Sequence, residues 1–454
     1  MQDPITIIVG AGAAGLLAAR ELSAAGKRTI LLEADNAPGG RIHTLHPEGF
    51  STPIEAGAEF IHGDLPLTLQ LLKEAGIPLR PAEGKMIRVR KGRRVGKEPF
   101  SGDWGLLMTK MQELQHAETD LPMADFLSTR FPGEQYAGLR QSVKGFAEGY
   151  DLADLNTVST LSLFREWHHE EGAQHRVDGG YGRLIHFLLE QCRFHGCAVH
   201  FSSPVSKVRW EKDRVEVTTT EGKTFSGHKL LITVSLGILQ LEPSNSSEPS
   251  HPSPPPEPAN PSYPSDSPSP AITFSPSIPA QLQAARQLGY GAVTKVLMEF
   301  RRPFWNKWEK KTGFILSDAE VPTWWTQSPD SPLLTGWVTG APREYLAGKD
   351  EAAQVQHCLS SLASIFSKNP ETLREQLVAV RIFDWAAMPY VRGGYSFETV
   401  ASEQARKLLR QPVDQTLYFA GEALYEGSVP GTVEAALVTG KEAAGAIIAG
   451  IIPQ

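Results

Sequence analysis

An α/β fold is predicted by three features of the sequence. The chain opens with a strand, a glycine turn, a helix and a second strand. It carries 41% hydrophobic residues over 454, enough for sizeable cores. Beyond the opening unit, strand-like alternation and helical spacing follow one another. In the opening unit, Ile5 to Val9 is a short β-branched run that breaks into Gly10-Ala11-Gly12-Ala13-Ala14-Gly15. A helical stretch of Leu and Ala follows to about Ala25, and Arg28 to Glu33 reads as a strand ending in an acid. This is the Rossmann-like unit that binds a dinucleotide. Gly10 permits the tight turn, Gly12 lets backbone approach a pyrophosphate, and Gly15 lets helix and strand pack closely. Ala14 lies in the helix's first turn, whose unpaired N–H groups and positive dipole end face the phosphates. Glu33 is placed to accept hydrogen bonds from ribose hydroxyls.

The composition sets bounds on partners and compartment. The length suits two large domains. A net charge of −7 and a pI near 6.0 give no nucleic-acid footprint. Cys192, Cys197 and Cys358 form neither a metal-type pair nor a disulfide framework, and they read as reduced thiols of a cytoplasmic protein. No basic-then-apolar leader precedes Ile5. No apolar run approaches the roughly twenty residues that span a bilayer, so no membrane partner is expected; the C-terminal AAGAIIAGIIPQ reads as the end of a buried helix. The run His168-His169-Glu170-Glu171 is not a metal site, because adjacent side chains point in different directions and no second ligand cluster accompanies it. Glu166, Glu170 and Glu171 are candidates for steering a cation. Alternation in MIRVRKGRRVGK predicts a strand pair, whereas LPMADFLSTRF and LRQSVKGFAEGY have helical spacing. Ser244 to Ala271 is dominated by Pro and Ser and is expected to be a disordered, partly polyproline II insertion, with a proline-motif docking role as one reading.

After Glu33 comes a second glycine turn, Asn36-Ala37-Pro38-Gly39-Gly40-Arg41, whose cation can reach phosphate or flavin. With its continuation GGRIHT, the sequence resembles the flavin-containing amine oxidases, the family of monoamine oxidases, polyamine oxidases and lysine-specific histone demethylases. The resemblance recurs along the chain. Glu55 to Gly63 (EAGAEFIHG) is similar to the family segment passing the flavin ring system, which implies flavin contacts for Gly57 and Ala58 and a substrate-tunnel role for His62. Val177 to Leu184 is similar to the family's glycine turn into a helix. VHFSSPVSKVRW resembles the strand whose backbone contacts adenine, at Val205, and KLLITVSLGILQ a further strand and turn with Ser235 in place of the usual proline. Leu288 to Phe300 resembles the GxGxxxKVxLxF segment, which implies that Lys295 holds a water against flavin N5. A lysine inside an apolar strand is costly unless acceptors meet it. Phe383 to Phe397 matches the segment that supplies Trp385 and Tyr395. LYFAGEALYEGSVPGTVEAALVTGKEAAGAI matches the C-terminal signature, with Gly421 and Glu422 at a strand end and Thr432 and Val433 opening a helix toward the cofactor.

The chain departs from the family pattern in two places. Gly394, not a cysteine, precedes Tyr395, which implies non-covalent FAD. Tyr395 matches one ring of the family's substrate cage, whereas Val429 stands where the second tyrosine is expected. The resemblance implies an FAD-binding domain from 1–80, 195–243 and 390–454, and an interleaved α+β substrate domain from 81–194 and 272–389. It implies that a small-molecule amine gives a hydride from its α-carbon to flavin N5, that the imine is hydrolysed, and that O2 reoxidises the flavin to yield H2O2. A desaturase or protoporphyrinogen-oxidase-like enzyme and a non-catalytic flavin-bound interaction protein stay as alternative readings.

Overall fold

The computed structural model describes residues 4–96, 103–116, 119–168, 172–242, 271–328 and 330–450. The Pro/Ser-rich insertion lies outside the described residues except for Ala271, as do His169, Glu170 and Glu171.

The opening unit forms as expected. Strand β1 (Ile5–Val9), helix α1 (Ala13–Ala24) and strand β2 (Arg28–Leu32) follow one another, with Glu33 just beyond β2. β1 and β2 lie in a five-stranded parallel sheet whose order is Ala198–His200, β2, β1, Lys229–Ile232 and Leu417–Phe419. Both faces of a parallel sheet are covered, so β1 is apolar except at Thr6, and Ile7, Ile8 and Val9 alternate between two cores. Ile8 packs with α1 and the helices Gly182–Phe194 and Val433–Ala449. Ile7 and Val9 pack toward a four-stranded sheet and the helix Pro279–Gln287. Small residues let α1 and the C-terminal helix come together: a Cβ on Gly440 would sit 2.3 Å from the Ala14 carbonyl oxygen.

A seven-stranded sheet forms the second main layer, in the order Leu377–Asp384, Val293–Phe300, Leu333–Thr339, Thr323–Thr326, Thr312–Ser317, Lys85–Arg90 and Arg93–Val95. The last two are the strand pair anticipated from MIRVRKGRRVGK, and they pair antiparallel. Val296, Met298 and Trp324 face the helix Glu351–Phe366. The opposite face carries Phe314, Trp325, Trp337, Lys295 and Phe383: Phe314 lies directly opposite Trp325, and Lys295 directly opposite both Trp337 and Phe383, while the Trp325 and Trp337 rings meet diagonally at 5.8 Å. Four helices between Trp104 and His168 form a separate core over this region.

Two elements pack away from the segment in which sequence placed them. Helix Gly182–Phe194, from the 81–194 stretch, buries Leu184, Ile185 and Leu188 against α1. Strand Thr273–Ser275, from the 272–389 stretch, pairs with Val205–Glu211 on the other side of the insertion. The helix carries an apolar stripe that meets one face of the parallel sheet, and Phe274 joins the core on the other face, facts that position in the chain does not reveal. Among the described residues, no helix is long and apolar enough to cross a membrane.

Candidate active site

A cavity of about 1500 Å³ runs between the two main sheets. Its walls include Gly10, Gly12, Ala14, Glu33, Gly40, Arg41, Gly57, Ala58, Val205, Trp385, Tyr395, Gly421, Glu422, Thr432 and Val433. Of the candidates chosen from sequence among the described residues, Gly15, Lys295, His62 and Glu166 are not in its lining.

Gly15 serves the turn from behind. A Cβ there would lie 1.9 Å from the Gly10 carbonyl oxygen, so the helix can start against the strand only with glycine at this position. Gly10 itself has φ +109°, a conformation that favours glycine. Gly12 is open instead: a Cβ added there would find its nearest neighbour, the Gly39 carbonyl oxygen, at 3.9 Å, leaving room for a ligand's phosphates above the N–H groups of α1. At the far end of β2, Glu33 accepts from Ala11 N (2.6 Å) and Asp35 N (2.9 Å), and burial pushes its carboxyl up. Each oxygen keeps a lone pair for a ribose hydroxyl. A second helix start opens on the same cavity, where the Thr432 hydroxyl caps Val433–Ala449 by accepting from Ala435 N.

Arg41 crosses the middle of the cavity. It donates to the Gly394 carbonyl (2.9 Å) and to Glu422 (2.6 Å), and its guanidinium lies over the Tyr290 ring. Burial opposes its charge, but Tyr290 and Glu422 outweigh that and raise it. Glu422 also accepts from the Ser396 amide and hydroxyl, so it anchors Arg41 rather than presenting a free carboxylate. Gly57 was expected to be small so that a flat ring could pass. The structure gives a stricter reason, since a Cβ there would lie 1.8 Å from the Arg41 carbonyl oxygen and 3.1 Å from the Trp385 ring. Trp385 in turn donates its indole N–H to the Ala56 carbonyl at 2.9 Å.

Lys295 sits behind the Gly57 wall, in the centre of a strand buried along its whole length. Its ammonium donates to the Gly57 carbonyl (3.0 Å) and to Glu59 Oε2 (2.9 Å). Glu59 also accepts from Arg176 Nε at 2.9 Å and from the Trp325 indole at 3.0 and 3.1 Å. Burial alone would push Glu59 up, but Lys295 and then Arg176 hold it below the usual carboxylate range. Sequence reading assigned no part to Glu59, Arg176 or Trp325. His62 ends the strand Phe60–His62, its ring 5.7 Å from that of Phe60, and it is not among the residues lining the cavity.

At the opposite end, Tyr395 and Trp337 stack with centroids 6.4 Å apart and planes 21° apart. Val429 packs against the core beside α1, and the residue of its turn that meets the Tyr395 ring is Gly431. The second ring beside Tyr395 is therefore Trp337, from another strand. Two van der Waals contacts need about 7 Å, so no carbon chain fits between these rings and the pair forms one wall. Both rings hang from the end of the helix Ala137–Gly149: Tyr395 Oη donates to the Tyr150 carbonyl, and Trp337 Nε1 to the Gly149 carbonyl.

The next residue, Asp151, is buried, accepts from Trp167 Nε1 at 3.0 Å and meets Glu166. Burial pushes both carboxyls up, Asp151 further through the neighbouring Glu166 charge, and Glu166 reaches about 7. The folded state therefore holds a proton that the unfolded chain releases near the ordinary value of 4.5, and stability falls as pH rises from there through about 7. Glu166→Gln supplies the missing donor without a charge. It is expected to raise the melting temperature at about pH 8.5 and to change it little at about pH 5. Equal shifts at the two pH values would show that this pair takes up no proton on folding.

The family described as "Flavin containing amine oxidoreductase" matches residues 13–448. The chain is 25% identical over 484 residues to lysine-specific histone demethylase 1B of Mus musculus, covering 98% of this chain and 52% of that protein. It is 26% identical over 478 residues to polyamine oxidase 2 of Arabidopsis thaliana, covering 98% and 88%. The chain thus spans about half the length of that demethylase and most of that oxidase. Among solved structures, putrescine oxidase bound to putrescine superposes with a TM-score of 0.77 at 19% identity, covering 98% of this chain and 99% of that one. Cyclohexylamine oxidase from Brevibacterium oxydans gives 0.77 at 19%, covering 99% of each, so the fold is shared with both.

Proposed function

Because the chain belongs to the flavin-containing amine oxidoreductases, and is thus an FAD-dependent oxidoreductase, we propose that it oxidises a small-molecule amine and reduces O2 to H2O2. FAD held here would supply the acceptor for a hydride from the carbon next to nitrogen and the route of those electrons to O2. The residues along the cavity fit that cofactor: two helix N-termini, an open Gly12, a ribose-facing Glu33 and the Arg41 crossing. No thiol tethers it, since Cys192, Cys197 and Cys358 are buried free cysteines within the cores. The single observation that carries the reading is the continuity of this cavity from Glu33 to the Trp337–Tyr395 wall.

In this reading Trp337 and Tyr395 orient the uncharged amine and keep water from its α-carbon. Lys295, with two of its three donors used, offers the remaining N–H to an ordered water beside the reacting edge of the flavin. The imine leaves to be hydrolysed by water. Substrates extend to polyamines, as the name of the Arabidopsis relative suggests, and His62 and Glu166 are the groups we would test for their effect on chain length. The chain divides into a cofactor half (1–80, 195–243, 390–454) and a substrate half, with Gly182–Phe194 and Thr273–Ser275 counted in the cofactor half on their packing. Three free thiols suit a cytoplasmic location. Offering an amine panel, with putrescine and spermidine among the compounds, should yield peroxide in step with amine loss. A flavin-bound protein that makes no peroxide from any of them would be a non-catalytic relative.

A further inference from the structure

The cluster behind Gly57 is expensive. Lys295, Arg176 and Glu59 are all at most 4% exposed as side chains, and two cations there face one carboxylate. Buried ion pairs seldom improve on apolar packing, so a cluster of this kind asks for a role beyond stability. Its geometry is closed on three sides. Glu59 takes Lys295 on one oxygen and Arg176 on the other, while the Trp325 indole bridges both. Arg176 is itself fixed, donating to the Thr326 carbonyl at 2.9 Å and lying 4.4 Å from the Phe60 ring centroid. Arg80 adds a third cation near Arg176. Glu55, the neighbouring carboxyl, is occupied by the Tyr181 amide and the Thr44 hydroxyl, and burial pushes it up to about 7. The dependable counter-charge for Lys295 is therefore Glu59.

We propose that Glu59, braced by Arg176 and Trp325, is the positioning residue of Lys295: it holds the ammonium against the Gly57 carbonyl and sets the excess positive charge beside the flavin. This rests on the reading that Lys295 acts next to the flavin. Glu59 acts through Lys295, and its loss has two consequences. In Glu59→Gln the ammonium loses its counter-charge while Arg176 stays, so it sheds its proton more readily. The same loss leaves two positive charges uncompensated, which favours the electron-rich reduced flavin.

The test is a set of four proteins: wild type, Glu59→Gln, Lys295→Met and the double variant. Amine-driven flavin reduction is followed by stopped flow from about pH 6 to about pH 10. Glu59→Gln should match wild type within about threefold at low pH and fall at least about tenfold toward high pH, a break absent from Lys295→Met. The double variant should match Lys295→Met. The flavin midpoint potential, read against dyes, should be more positive in Glu59→Gln than in wild type. If Glu59→Gln does not fold, Glu59→Gln with Arg176→Met restores the original charge balance and should show a smaller pH break at an unshifted potential, with rates still no slower than Lys295→Met. A Glu59→Gln profile parallel to wild type, an unshifted Glu59→Gln potential, or a double variant slowed beyond Lys295→Met overturns the proposal while leaving Lys295 in place. Wild-type rates in Lys295→Met overturn the reading of Lys295, and this proposal with it.

Discussion

Gly57→Ala is expected to give a colourless, destabilised protein. The added methyl would meet the Arg41 carbonyl oxygen at 1.8 Å and its carbon at 2.8 Å, both backbone atoms that no rotamer change can move. Relief requires the 55–60 segment and the Arg41 turn to separate, which breaks the Ala58 N to Arg41 O hydrogen bond of 3.0 Å. Overpacking of this kind costs about 3 kcal/mol, and here it also moves two walls of the cavity. Gly12→Ala is the matching control, because its methyl would meet protein only at 3.9 Å. That variant should melt like the apoprotein of the wild type and still lose flavin. Flavin content by absorbance and melting temperature by calorimetry separate the two. A yellow Gly57→Ala protein with an unchanged melting temperature would contradict the packing described.

Lys295→Met is expected to slow turnover at least about tenfold, about 1.4 kcal/mol of barrier, while the protein stays folded and yellow. Folding survives because Glu59 keeps Arg176 and the Trp325 indole when the ammonium goes, so no buried carboxylate is left alone. Methionine also fills a lysine-shaped space with little strain. Both half-reactions should be followed by stopped-flow absorbance, since the residue's position behind Gly57 does not decide between them. Unchanged rates in both would make Lys295 a structural partner of Glu59.

The cofactor end of the cavity was the more legible. A glycine turn constrains backbone directly, so the turn at Gly10, the tight start at Gly15 and the strand-end acid Glu33 can be read from local spacing, while the helix start at Thr432 came through the family resemblance. The aromatic end was not legible in this way. Trp337 meets Tyr395 only because Leu333–Thr339 pairs with the strand of Lys295, and register across a sheet is set by contacts far apart in the chain. Val429 drew attention by its position in a motif, while the fold turns Gly431 toward the ring instead. Glu59 was legible in principle. Sequence reading argued that Lys295 in an apolar strand needs an acceptor, and an acid between Gly57 and Phe60 raises the mirror question. Arg176 offered a fainter cue, a charge that the fold buries in the strand Gln174–Val177. The Asp151–Glu166 contact had none, because a turn and a helix bring it together through side-chain packing.

Anaerobic mixing of the yellow protein with single amines tests the proposed chemistry most directly, because it removes oxygen and product release from the observation. Oxidation of an amine at its α-carbon predicts that at least one primary, secondary or polyamine substrate bleaches the flavin at a rate that saturates with amine concentration. Admitting air should then restore the colour with formation of one peroxide per flavin. If every amine leaves the flavin oxidised while a chemical reductant bleaches it normally, the protein is not an amine oxidase and the cavity serves another ligand.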